Sequence, residues 1–264
     1  VRSRAPTGLF LGVPTTALAM LAVASAACDL PPPPAAREPL QGRVVSPTDG
    51  RLERDGVVQI SVSALIEPRS MLGADASLRS GERELGVGLA FDPVTRLLVA
   101  DPTARLLDPD IDYRLHLEGP RGFDGAPLAP IELPLRVTPT LAEPVPPPTE
   151  DDVLAVLEGC RGCHEGPTAA LGLDVTDLRR TAIGVPAAEV AGASFGRGLG
   201  GLQRIEAGHP ERSYLVYKML GEGPIVGATM GAEGSPDVPL PRASIAIVSR
   251  WIAAGARPTA REQP

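Results

Sequence analysis

Aromatic side chains are scarce: four Phe, three Tyr and one Trp in 264 residues. So few rings argue against the stacking platforms with which proteins hold single-stranded nucleic acid. Lysine is scarcer still, since Lys218 is the only one. Its 25 basic residues are outnumbered by 32 acidic ones, giving a net charge of −7 with no basic block anywhere. An acidic chain of this kind lacks the electrostatic footprint of a DNA- or RNA-binding protein, so no nucleic-acid partner is expected. Long apolar runs are missing as well. The run at residues 9–23 holds Gly12, Pro14, Thr15 and Thr16 and falls short of the ~20 apolar residues of a spanning helix. What is abundant is backbone punctuation, with 29 Gly and 30 Pro, where ordinary usage is roughly 7% and 5%. Long uninterrupted helices and coiled coils are thereby excluded over most of the length. The apolar share of 43% still suffices for cores and argues against wholesale disorder.

Arg2 and Arg4 precede that short apolar run, which leads to Ser25-Ala26-Ala27-Cys28. A basic start, a short apolar stretch and small residues before a cut describe a secretory signal over residues 1–27. A cysteine directly after Ala27 resembles the lipobox of bacterial lipoproteins, although Ser25 stands where Leu is usual. The resemblance implies that Cys28 carries a lipid and anchors an exported protein to a membrane, at its periplasmic or cell-surface face. Otherwise Cys28 would be an unpaired, exposed thiol in an exported chain. Pro31–Pro34 follow within residues 28–39, a semi-rigid polyproline tether.

A second proline cluster, residues 139–149, divides the remainder. Before it, over residues 40–138, Val58, Ile60 and Val62 alternate with polar residues. Tyr113, Leu115 and Leu117 do the same, and so do Ile131, Leu133 and Leu135. Turn signals recur at Asp49-Gly50, Ser80-Gly81, Asp92-Pro93 and Asp124-Gly125. Short alternating strands with such punctuation predict an antiparallel β-sandwich. The run from Leu107-Asp108-Pro109 through Tyr113 to Gly122-Phe123-Asp124-Gly125 resembles the later half of a bacterial Ig-like module. That resemblance implies a spacer or adhesive unit without chemistry of its own. His116, opposite Leu115 and Leu117, reads as a solvated strand residue.

After the joint the period changes. Thr149-Glu150-Asp151-Asp152 is a capping box, and Val153, Val156, Leu157 and Cys160 share one helical face. Pro210 opens a second helix and Pro241 a third, the latter with Ile245, Val248, Trp251 and Ile252 on one stripe. Glycine-rich loops at residues 192–201 and 221–234 lie between them. The strongest signal in the chain is Cys160-Arg161-Gly162-Cys163-His164. At a helix end, two thiols with this spacing reach the two vinyl groups of one haem. The next residue then offers an imidazole to the iron. Once Cys28 is set apart for lipid, both remaining cysteines belong to the motif. A redox Cys pair would sit at the start of a helix in a βαβ unit, whereas this pair ends one. Zinc would have only Cys160, Cys163 and His209 to draw on, short of four ligands.

Residues 150–257 also resemble the monohaem cytochrome c-like domains of exported bacterial proteins and lipoproteins. The matching text includes the motif itself, Gly172-Leu173-Asp174-Val175, Gly208-His209-Pro210-Glu211 and Trp251-Ile252-Ala253-Ala254-Gly255-Ala256. The family has Gly-Asp-Pro where His209 stands, and Met-Pro where Met230-Gly231 stands. The resemblance implies one covalent haem c held by Cys160 and Cys163, with His164 as proximal and Met230 as distal iron ligand. A thioether on a glycine-rich loop before the last helix can indeed fold over the open haem face. His209 is the second choice for the distal position, because a residue before proline is pushed to extended backbone. The expected architecture is therefore two-domain, an all-β Ig-like sandwich followed by a small all-α cytochrome c-like haem domain, with a tail at residues 258–264. The expected function is one-electron transfer to a redox partner protein by a membrane-anchored c-type cytochrome, rather than catalysis. Two other functions fit the same residues less fully. One is a haem sensor or haem enzyme with an open sixth position, and the other a non-haem surface adhesion lipoprotein.

Overall fold

Alternation of apolar and polar residues drives the first half of the chain into strands. The computed structural model describes residues 37–102, 106–187, 202–223, 225–231, 235 and 238–257. The expected signal segment, Cys28, most of the tether, the loop at 192–201 and the tail at 258–264 lie outside the described residues. Among the described residues nine strands form two sheets: β1 (Gly42–Ser46), β2 (Arg51–Leu52), β3 (Val58–Val62), β4 (Asp75–Ser80), β5 (Arg83–Gly86), β6 (Gly88–Asp92), β7 (Leu97–Asp101), β8 (Asp112–Glu118) and β9 (Ile131–Val137). One sheet runs β1-β3-β7-β6 and the other β2-β9-β8-β4-β5. Their pairings are antiparallel except that of β2 with β9. Register follows the period of two: Ile60 faces Leu98, and Leu115 lies between Leu78 and Leu133. Ile60, Leu78, Leu98, Leu115 and Leu117 are almost wholly buried between the sheets. Each such side chain contributes about 1.5–3 kcal/mol relative to an exposed one. A single-turn helix, α1 (Pro68–Leu72), bridges β3 and β4, with Glu67 accepting from the amides of Arg69 and Ser70.

The described residues of the second half include the short helices α2 (Glu150–Leu157), α3 (Leu178–Thr181), α4 (Tyr214–Leu220) and α5 (Arg242–Ala253). The capping box forms as its sequence dictates. The Thr149 hydroxyl accepts from the Asp152 amide at 3.3 Å, and the Asp152 carboxylate accepts from the Thr149 amide at 2.8 Å. Val153, Leu157, Val248, Trp251 and Ile252 bury together with Cys160 and Met219 in a second core. His116, expected in solvent, instead lies between carboxylates, with Nδ1 2.5 Å from Glu132 and Nε2 3.5 Å from Asp75.

The expected architecture of a sandwich followed by a small all-α cytochrome c-like domain is not the observed one. The described structure is mostly β-sheet with a few short helices. Much of the second half is loop, braced by bridges such as Ile183 with Ile205 and Pro186 with Gln203. The described residues belong to one compact unit. Ala187, Leu202, Tyr214 and Tyr217 from the second half complete the sandwich core, while Val94 from the first half joins the second core. The proline joint is pinned to the surface, where the Asp55 carboxylate accepts from the Ala142 amide at 2.7 Å. The physical reason is helix length. Elements of four to twelve residues cannot bury all their apolar faces against one another, so Tyr214 and Tyr217 of α4 close on the sandwich while α2 and α5 keep the second core.

Candidate functional site

Cys160 and His164 are brought together by chain geometry alone. Helix α2 tightens into a 3-10 turn at Glu158–Cys160, and the chain then coils so that the His164 amide donates to the Cys160 carbonyl at 3.0 Å. Arg161 braces this coil from outside, pairing with Glu158 at 3.1 Å and with Glu165 at 2.6 Å. Cys160 is buried, Cys163 is exposed, and the two thiols are free. Burial, and secondarily the neighbouring Cys163, push the Cys160 thiol above its ordinary value. A redox pair needs the opposite, a thiolate stabilised at a helix start.

The chain beyond the motif folds back to fix the histidine. Val175 donates to the His164 carbonyl at 2.8 Å, and Ala170 to the Cys163 carbonyl at 2.9 Å. His164 Nδ1 lies 3.3 Å from the Leu173 carbonyl. A backbone acceptor there selects the tautomer with its proton on Nδ1 and leaves the Nε2 lone pair free to bind a metal. Asp174 holds that return loop closed, accepting from the amides of Gly166 at 3.0 Å and Thr176 at 2.9 Å. These bonds, led by the Thr176 hydroxyl, hold its carboxyl below the usual range. From the other side, Arg204 donates to the carbonyls of Gly172 at 2.8 Å, Thr181 at 2.7 Å and Leu171.

Two adjoining cavities open at this point. The larger, about 290 Å³, is lined by His164, Leu173, Leu215, Met230, Arg204 and Lys218 among others. The smaller, about 100 Å³, is lined by Cys160, Cys163, His164, Thr229, Met230 and Gly231. His164, Thr229 and Met230 thus belong to both. Among the described residues two cations line the larger cavity, and no carboxylate does. Met230 reaches it on a loop that doubles back over α4. Its amide donates to the Lys218 carbonyl at 2.9 Å, while Lys218 Nζ donates to the carbonyls of Val226 and Ala228, each at 2.7 Å.

His209 is placed elsewhere. It precedes the 3-10 turn Pro210–Arg212, its Nδ1 lies 3.0 Å from buried Glu211, and it lines neither cavity. Cys28 lies outside the described residues. Among the described residues no three His, Cys, Asp or Glu side chains gather as a bare metal ion would need. A porphyrin supplies four nitrogens of its own and asks the chain only for axial ligands. The donor set fits such a group: two thiols, an oriented imidazole, a thioether and an apolar lining, with two cations for its carboxylates. Sequence reasoning missed Arg204, whose partners are all backbone carbonyls. Lys218 carried one clue, its standing as the only lysine.

No protein-family model matches the chain, and no curated protein matches it as a relative. Among the described residues no helix is long and apolar enough to cross a membrane.

Proposed function

We propose that this chain is an exported, lipid-anchored haem protein that carries single electrons between protein partners. The observation that carries the reading is the convergence of Cys160, Cys163, His164 and Met230 on two adjoining cavities. Cys160 and Cys163 would hold the group covalently, each thiol adding its S–H across one vinyl double bond, sulfur to one carbon and hydrogen to the other, so that no oxidant would be required. When bound, haem supplies a reversible one-electron iron couple. His164 would hold the iron through Nε2, with Leu173 fixing the ring. Met230 would hold it from the loop, where a thioether would raise the potential and exclude exchangeable water. Arg204 and Lys218 offer positive charge to the carboxylates of the group. The exposure of Cys163 supports an accessible edge for outer-sphere transfer. Acylation of Cys28 would keep the protein at a periplasmic or cell-surface membrane face.

One experiment tests anchor and haem together. The full chain is expressed with a cytochrome c maturation system, partitioned into detergent, and run on a denaturing gel stained for peroxidase activity. The expected result is a stained band in the detergent phase for wild type and in the aqueous phase for Cys28→Ala. Loss of staining in wild type overturns the haem assignment. Equal partitioning of the two proteins overturns the anchor.

A further inference from the structure

The loop that carries Met230 is not held by the second half of the molecule alone. It begins at Gly221, the left-handed cap of α4 with φ of 68°. The next residue, Glu222, is gripped by two arginines: Arg96 Nη2 at 2.8 Å and Arg242 Nη2. Arg96 belongs to the turn between β6 and β7, so this ion pair joins the sandwich to the start of the loop. Arg242 opens α5 and also donates to the Val94 carbonyl of that same turn at 3.0 Å. Asp92, at the turn's other end, accepts from buried Ser249 of α5 at 2.6 Å. Further along, Gly223 passes so close to Tyr217 that a Cβ would lie 2.8 Å from its ring. Ile225 packs onto the sandwich core. The Val226 amide donates to the Tyr214 hydroxyl at 3.0 Å, and Met230 follows four residues later. Arg96 itself has φ of 56°, a left-handed conformation that is costly for arginine and free for glycine.

We infer, resting on the haem reading above, that Arg96 is a positioning residue for the sixth iron ligand. The sandwich sets the place of Met230 by clamping Glu222 at the root of its loop, so the β half is a working part of the haem site. A spacer would need none of these contacts. The strained backbone at Arg96 supports this, because a turn that served only to reverse the chain would do better with glycine.

Arg96→Gly tests the inference without endangering the fold, since it removes the guanidinium and relaxes the turn together. In the haem-loaded full chain, the variant is expected to keep its covalent haem. It should lose intensity in the weak long-wavelength sulfur-to-iron band of the oxidised form. Ferrous protein should bind carbon monoxide about two- to fivefold faster, within what a half-exposed ion pair can supply. Amide exchange at Val226 and Met230 should accelerate in the same variant. Glu222→Gln should behave likewise, while Arg136→Ala, which breaks a surface pair on the other sheet, should change none of these readouts. A variant with wild-type band, carbon monoxide binding and amide exchange overturns the inference. Wild type without covalent haem is a different failure, that of the haem reading. Amide exchange then decides alone: acceleration in Arg96→Gly supports the clamp, and unchanged exchange overturns it.

Discussion

A histidine that binds iron must offer one ring nitrogen and keep the other occupied, and His164 meets both demands. Its Nδ1 has the Leu173 carbonyl 3.3 Å away, and the ring lines both cavities. His209 also has an occupied Nδ1, but its partner is a carboxylate remote from the cavities. Met230→Ala should therefore lower the reduction potential, abolish the sulfur-to-iron band and open the iron to carbon monoxide, whereas His209→Ala should leave all three unchanged. The opposite pattern would make the site bis-histidine. Glu211 carries a second prediction. Burial raises its carboxyl above the ordinary 4.5, outweighing the His209 contact, and one of its oxygens is buried without a partner. A raised value means that the stability conferred by the neutral form is complete below about pH 4.5. That stability is lost as pH rises through the folded-state value. Glu211→Gln keeps the neutral form throughout, so its melting temperature should match wild type at pH 4 and exceed it at pH 7. A variant less stable at pH 7 would show that the His209 pair governs this carboxyl. At this scale the run Cys160–His164 was legible as a cluster because its five residues are adjacent. Met230 was legible as a candidate through the family resemblance and its glycine-rich loop. Arg96, Arg204 and Lys218 were not, since their roles depend on partners between 8 and 126 residues away.

Elements translate those residues into positions. Helix α2 exists because Thr149 and Asp152 cap it and because Val153 and Leu157 bury against α5. It delivers Cys160 to the cavity wall beyond its far end, so on the proposed haem reading its stability bears directly on attachment. Thr149→Ala removes the hydroxyl that accepts the Asp152 amide and should cost about 1 kcal/mol. The bonds from Thr149, backbone first, hold the Asp152 carboxyl below its usual range. A depressed value confers stability above the unfolded pKa, near 3.8, that is lost as pH falls through the folded one. The penalty of Thr149→Ala, measured by chemical denaturation, should thus shrink on acidification below pH 4. A penalty independent of pH would show that the hydroxyl acts without the carboxylate. The strands at Val58, Tyr113 and Ile131 were legible from alternation, and the four turn signals fall between strands or at a strand's last residue. Strand order was not, because period says which face is buried and nothing about neighbours. Helix α1 escaped notice for its brevity. The departure at Gly231 has a reason of space: a Cβ there would run into the Ser235 carbonyl oxygen, which leaves a proline no room.

The molecule as a whole differs most from its sequence because long-range contacts leave no trace in periodicity. Two proline clusters suggested bodies joined by a strut, yet the strut is fastened along its length. The Thr140 carbonyl accepts from Arg54 at 3.0 Å, and the Pro146 carbonyl from Arg250 at 3.5 Å. Tyr217 shows how the halves merge. Its ring meets Phe123 of the sandwich edge-on at 5.9 Å, its hydroxyl donates to the Glu211 carbonyl at 2.7 Å, and none of it reaches solvent. Removing either half would strip apolar cover from the core of the other, so the two should unfold together. This can be read without labels, because Trp251 is the only tryptophan and sits in the second core, while the far-ultraviolet signal of the strands reports mainly the sandwich. In denaturant, tryptophan fluorescence and strand circular dichroism should fall on one curve with a single midpoint. Tyr217→Ala, which opens the shared core, should lower both midpoints equally, by about 3–5 kcal/mol in stability if the site relaxes as other large aromatic sites do. Two separated transitions, or a Tyr217→Ala shift confined to the fluorescence curve, would return the molecule to two independent domains. The sandwich would then be a spacer after all.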